Sequence, residues 1–96
     1  MRKRQLLSPD RAYQLNVFET QNVSESGPVT YHCSDYSLEV IRVSDRSIVL
    51  QRSTTRYWND GEAPQQGGIE DWTFSGDSQS IHLLFEDGTV EKLEIP

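Results

Sequence analysis

His32, Cys33 and His82 are the soft metal ligands of this chain, with carboxylates such as Asp35 as hard companions. Zinc takes three or four such groups, commonly brought together by C-x-x-C or H-x-x-x-H spacing. Neither spacing occurs here. His32 and Cys33 are adjacent in a run of strand-forming residues, so alternation sends their side chains to opposite faces. The same alternation parts a Cys33 nucleophile from a His32 base and leaves only His82, from a neighbouring strand, as a partner. No Gly-x-Ser-x-Gly elbow presents a serine. Cys33 reads as a small packed residue and His32 as a rim residue.

Paired carboxylates are the other source of acid–base chemistry. Glu70-Asp71 and Glu86-Asp87 are pairs in sequence, but glycosidase-type work needs two carboxyl groups facing each other across a cleft, and strand neighbours diverge. Asp60-Gly61-Glu62 lacks the alternating oxygen ligands of a calcium loop. Gly67-Gly68 has neither the lysine nor the following helix of a phosphate loop. The expectation is no catalytic residue, no metal and no cofactor. What remains is recognition chemistry: Tyr57 and Trp58 beside Asp60, Glu62, Glu70 and Asp71, a pattern of aromatic anchors with steering charges.

Charge supports that reading. The net charge is −6, with Arg2, Lys3 and Arg4 at the very start; from Gln5 onward six basic residues face fifteen acidic ones, and from Asp60 onward nine acids face Lys92 alone. Such a body repels nucleic acid and anionic lipid and attracts a basic protein. The basic start is followed by Gln5, Leu6, Leu7, Ser8, Pro9 and Asp10 in place of an apolar run, so no signal segment or membrane span is expected. A lone cysteine suits the reducing cytoplasm.

These groups have to be positioned by strands. Segments 12–20, 28–33, 36–44, 47–54, 69–74, 79–86 and 89–95 are short runs rich in β-branched and aromatic residues, parted by Ser, Asp, Asn and Gly. They predict one all-β domain over 1–96, an antiparallel meander of six or seven strands forming a blade-like sheet or a sandwich. Residues 1–7 read as a flexible basic start, 21–27 as a small loop and 55–68 as a long one; at most one helical turn is expected, at 8–11. The expected core takes Leu15 and Val17, then Val40, Ile41, Val43, Ile48 and Leu50. It continues with Trp72 and Phe74, then Ile81, Leu83, Phe85, Val90 and Leu93. Asp45-Arg46 and Asp87-Gly88 are tight turns. At the second, a two-residue loop pairs Phe85 with Val90, whereas a three-residue loop pairs Phe85 with Thr89 and Ile81 with Leu93.

One internal echo stands out. The eleven residues from Ser8-Pro9-Asp10 to Phe18 align without gaps on those from Ser75-Gly76-Asp77 to Phe85, sharing Ser, Asp and Phe. In such a turn, Ser and Asp side chains bond nearby backbone N–H groups and reverse the chain before a strand. Both segments resemble the Ser-Pro-Asp-Gly strand openings of TolB-type and WD-type β-propeller blades. Segment 72–93, with Trp72-Thr73-Phe74-Ser75-Gly76-Asp77 and Glu86-Asp87-Gly88-Thr89-Val90, is similar to a blade's central hairpin. The chain is too short for the four or more blades of a closed propeller. The resemblance therefore implies a blade-like sheet or sheet pair. It extends to small bacterial proteins of the same pattern, some of which look like toxin-immunity proteins.

Three function classes follow. The first is a non-enzymatic acidic module that binds a basic protein, with an immunity protein against a basic toxin as its concrete form. The second is an accessory module that pairs through exposed strand edges, including with a second copy. A small enzyme ranks last.

Overall fold

A chain with period-two alternation and no helical stripe must satisfy its backbone groups between strands. The computed structural model describes residues 2–60 and 66–96. Within them β1 (Arg2–Leu7), β2 (Tyr13–Ser26), β3 (Val29–Arg42) and β4 (Ile48–Asn59) form a four-stranded sheet in the order β1-β2-β3-β4. Strands β5 (Ile69–Phe74), β6 (Ser80–Phe85) and β7 (Val90–Glu94) form a three-stranded sheet in the order β5-β6-β7. Every pairing is antiparallel, as expected of a meander.

Three differences from the expected set concern β1 to β3. Segments 28–33 and 36–44 are a single strand, β3, because Ser34 and Asp35 continue the ladder opposite Gln21 and Thr20. Residues 21–26, expected as a loop, are the far end of β2, which reverses through Gly27-Pro28 with Gly27 at φ 62°. This is the two-residue hairpin loop that favours Gly in its first position. The basic start is not loose: Arg2–Leu7 pairs with β2 along its whole length.

The inner faces of the two sheets meet in one core. Leu15 and Val17 of β2, Tyr36, Leu38 and Val40 of β3, and Leu50 of β4 lie against Ile69 and Trp72 of β5 and Ile81, Leu83 and Phe85 of β6. Ile95, just after β7, joins the same cluster. Val43, Ile48 and Val90, expected inside, are exposed, whereas Tyr36, Leu38, Ile69 and Ile95 were missed. A register shift between Val40 and Ile41 explains the first two, because beyond it the apolar run leads into the turn before β4.

Four connections use one device. In the 8–13 turn Asp10 accepts the Ser8 hydroxyl at 2.6 Å and the Ala12 N–H at 2.9 Å, and the Tyr13 N–H donates to Ser8 Oγ at 3.0 Å. The 75–80 turn repeats these bonds through Asp77, Ser75, Gln79 and Ser80. Arg11 and Ser78 occupy equivalent left-handed positions, at φ 61° and 62°. The sequence echo is thus a repeated turn, and no helical turn forms at 8–11. It stops at the strands: Phe85 is buried, while Phe18 is on the outer face beneath Lys3, whose Nζ lies 5.5 Å from the ring centroid. Asp45 and Asp87 bind the N–H two residues ahead in the same manner. At Asp87-Gly88 the three-residue loop is the one formed, with Phe85 N–H donating to the Thr89 carbonyl and Ile81 opposite Leu93.

Candidate functional site

Strands β2 and β3 are fourteen residues long, but the core covers only part of them. From Thr20 to Ser26 every residue of β2 is exposed, a projection on the order of 20 Å at about 3.3 Å per residue. Strand β4 follows the arm as far as Asn59, opposite Tyr31. The result is a three-stranded arm carrying aromatic groups on both faces.

Alternation sorts them. On the face continuous with the core, His32 and Trp58 are register partners and stack with centroids 5.1 Å apart and planes 6° from parallel. Asp60 follows the strand, with its N–H donating to the Thr30 carbonyl at 3.2 Å. Its carboxylate oxygens lie 3.2 Å from His32 Nε2. The neighbouring Val23 is exposed. On the opposite face Cys33 sits across from Tyr57, so His32 and Cys33 do diverge. Tyr57 is 76% exposed and Tyr31 45%, and register places the two tyrosines diagonally on that face.

The structure therefore brings Tyr57, Trp58 and Asp60 to the arm. Their roles differ: Tyr57 stands free, whereas Trp58 is half-buried and its ring edge lies against Gly68. Glu62 lies outside the described residues. Glu70 is exposed at an irregularity between Ile69 and Asp71. Asp71 is bound by Arg4 of β1 at 2.7 Å, linking the two sheets. That bond, followed by the Trp72 N–H, holds its carboxyl below the ordinary carboxylate range. Arg4 shares a register row with Leu38, six residues along β3 from His32, so Asp60 and Asp71 are separated by about 20 Å. With screening over about 8 Å at physiological salt, they act as separate charges.

Sequence reading missed Tyr31, His32 and Val23 as members of this surface. Tyr31 and His32 belong to a β-branched and aromatic run that Ser34-Asp35 parts into two expected strands, and Val23 lies in the expected 21–27 loop. The expected loop at 55–68 is also partly regular: 55–59 belongs to β4, and Gly67 and Gly68 are buried across the inner face. There Arg56 donates to the Gly67 carbonyl at 3.2 Å and the Gln66 side chain at 2.6 Å. The Ile69 N–H donates to the Tyr36 hydroxyl at 3.0 Å. Burial is the leading reason the Tyr36 phenol is pushed up from its ordinary value.

The two sheets have four edge strands, β1, β4, β5 and β7; Arg4 and Asp71 link β1 to β5, which leaves the β4 and β7 edges for self-pairing. Strand β4 borders the first sheet and β7 the second, and β7 is exposed along most of its length. Among the described residues no three of His, Cys, Asp and Glu converge to hold a metal ion, and no helix is long and apolar enough to cross a membrane. Comparison of the chain with family models, curated proteins and solved structures finds no match.

Proposed function

We propose that this protein is a non-enzymatic binding module that receives a basic protein partner on its three-stranded arm. The observation that carries the proposal is the projection of β2, β3 and β4 beyond the core with Tyr57, Tyr31 and Val23 exposed on it. Strand pairing in this arm exposes large apolar groups where core burial gives them no role. Aromatic side chains on a rigid sheet are effective anchors, because little conformational freedom is lost when they are covered. The acidic body supplies long-range attraction for a basic partner, with Asp60 on the same arm, at His32 on the face opposite the two tyrosines, and Glu70 outside the arm on β5. The resemblance to small bacterial proteins, some of them immunity-like, makes neutralisation of a basic toxin the concrete form, in the cytoplasm.

Photo-crosslinking tests this. A photoreactive residue at position 57, introduced in the source cell, should give one dominant adduct with a basic protein; the same residue at exposed position 79, in the 75–80 turn, should not. Equal labelling from both positions, or no adduct from 57, overturns the arm as the binding surface. A second reading rests on the exposed edge of β7, whose backbone could pair with another copy.

A further inference from the structure

The sandwich is closed unequally on its two sides. On the β1 side the Arg4–Asp71 bond ties the sheets together. On the other side the inward positions of β4 after Leu50 are Arg52, Thr54 and Arg56, and those of β7 are Glu91 and Leu93. Between these lips the core opens into a cleft of about 240 Å³. Its walls are the aromatic rings of Tyr36, Trp72 and Phe85 together with Leu38, Leu83 and Leu93.

The lips carry opposite charges. Arg56 is held in place by Gly67 and Gln66, with its guanidinium carbon 4.7 Å from the Phe85 ring centroid, and forms one end wall. Arg52 is exposed and donates to the carbonyl of its neighbour Gln51 at 3.0 Å, a contact that a side-chain rotation releases. Glu91, also exposed, stands on the opposite lip.

We infer that this cleft binds a small carboxylate with an aromatic or branched apolar body, the carboxylate pairing with Arg52 and the body entering between the sheets. The volume suits on the order of ten non-hydrogen atoms, below the 300–1,000 Å³ of sites for drug-sized ligands. The apolar part of the wall, between the charged lips, selects the body. The guanidinium fork matches a carboxylate in two parallel bonds, and fixed Arg56 adds positive potential from the same lip. Glu91 repels the carboxylate and so orients it toward β4. The shared chemistry has two sources, a free acid or the C-terminal residue of a peptide. This site is independent of the arm.

The probes are 3-phenylpropionate, its primary amide, and the peptide Gly-Gly-Gly-Phe with a free or amidated C-terminus. NMR of the Trp72 indole and Leu83 methyl groups in the intact chain reads occupancy. The free acid or the free-terminus peptide should produce saturable shifts, and the corresponding amide should bind at least about five-fold more weakly. Arg52→Gln should weaken binding by at least about five-fold, while Glu91→Gln should strengthen it by about two- to three-fold. Both changes are at exposed positions, so opposite signs report charge at the mouth and not loss of fold. Tighter binding of the peptide assigns the cleft to a chain terminus, and tighter binding of 3-phenylpropionate assigns it to a free acid. Absence of saturable shifts with both carboxylates, equal binding of acids and amides, or indifference to both substitutions overturns the inference. Tyr57→Ala should leave these titrations unchanged even if it abolishes binding at the arm.

Discussion

A methyl group at Gly68 would meet the Trp58 ring and the Tyr36 hydroxyl at 2.9 Å, inside ordinary contact distance. Gly68→Ala should therefore destabilise by about 1 to 3 kcal/mol, the usual cost of overpacking. Gly76→Ala, with open space around it, should stay within about 0.5 kcal/mol of the parent. Gly67 is at φ 73° and a Cβ there would lie 3.1 Å from that of Glu86; Gly88 is at φ 90° with nothing near. Read from sequence, Gly88→Val should be the more harmful of the two valine substitutions, because 55–68 looked like a forgiving loop. The structure reverses that order. Gly67→Val should lower the urea midpoint at least as much as Gly88→Val, since both carry left-handed strain of about 1 to 2 kcal/mol and only Gly67 adds a collision. Trp72, 2% exposed and with its ring tilted 55° to that of Tyr36, is the core residue expected from its phase. Trp72→Ala should cost about 3 to 5 kcal/mol in the same measurement.

At the scale of elements, four exposed aspartates organise the turns, and each carboxyl is held below its ordinary value chiefly by a hydroxyl donor. The donor is Ser8 for Asp10, Ser47 for Asp45, Ser75 for Asp77 and Thr89 for Asp87; a backbone N–H is the second cause in every case. A carboxyl whose folded pKa is depressed contributes stability that is present above its unfolded value, about 3.9, and is lost as pH falls through the folded value. Stability should therefore decline from about pH 4 downward. In the double variant Asp10→Asn/Asp77→Asn this acid limb should be shallower, a difference measured by urea unfolding at a series of pH values. An unchanged slope would mean that the turn carboxylates are equally well bonded in the unfolded chain. The arm permits a second test. Amides of 22–31 should exchange with solvent through local opening, while those of Val17, Leu38 and Leu83 should exchange only with global unfolding, because the distal arm lacks core cover.

For the whole molecule, extents of 52 × 23 × 16 Å and a radius of gyration of 15.1 Å exceed the roughly 12.5 Å of a compact chain this long. The arm accounts for the excess and separates the acidic positions. Once a basic partner is in hand, Asp60→Lys should slow its association by about ten-fold at low salt and less at high salt. Asp71→Lys should instead disturb the link to Arg4, worth about 0.2 to 1 kcal/mol at that exposure, and change association less. Tyr57→Ala should act mainly on dissociation. For the edge-pairing reading, sedimentation should show a dimer at high concentration that persists with added salt, since backbone bonds and apolar contact hold it. A strictly monomeric boundary removes that reading.

The all-β class, the absence of helix among the described residues and the repeated Ser-x-Asp turn were legible in sequence because their causes are local. Alternation is a property of neighbours, and each turn's bonds lie within five residues. Tertiary structure decided what depends on distant partners. Ser34-Asp35 reads as a break, yet β3 runs through it because a ladder partner stands on each side and the Thr55 hydroxyl donates to Asp35 at 2.7 Å. The basic start becomes β1 because β2 offers an edge and Asp71 offers Arg4 a charge. The register after Phe85 was ambiguous among neighbours, since both loop lengths left a mixed face. Packing of Phe85 and Ile81 against the first sheet accompanies the three-residue loop, with Gly88 supplying its positive φ. The placement of Tyr57 and Tyr31 on one face of the arm likewise follows from pairing between segments more than twenty residues apart, a relation that no local pattern contains.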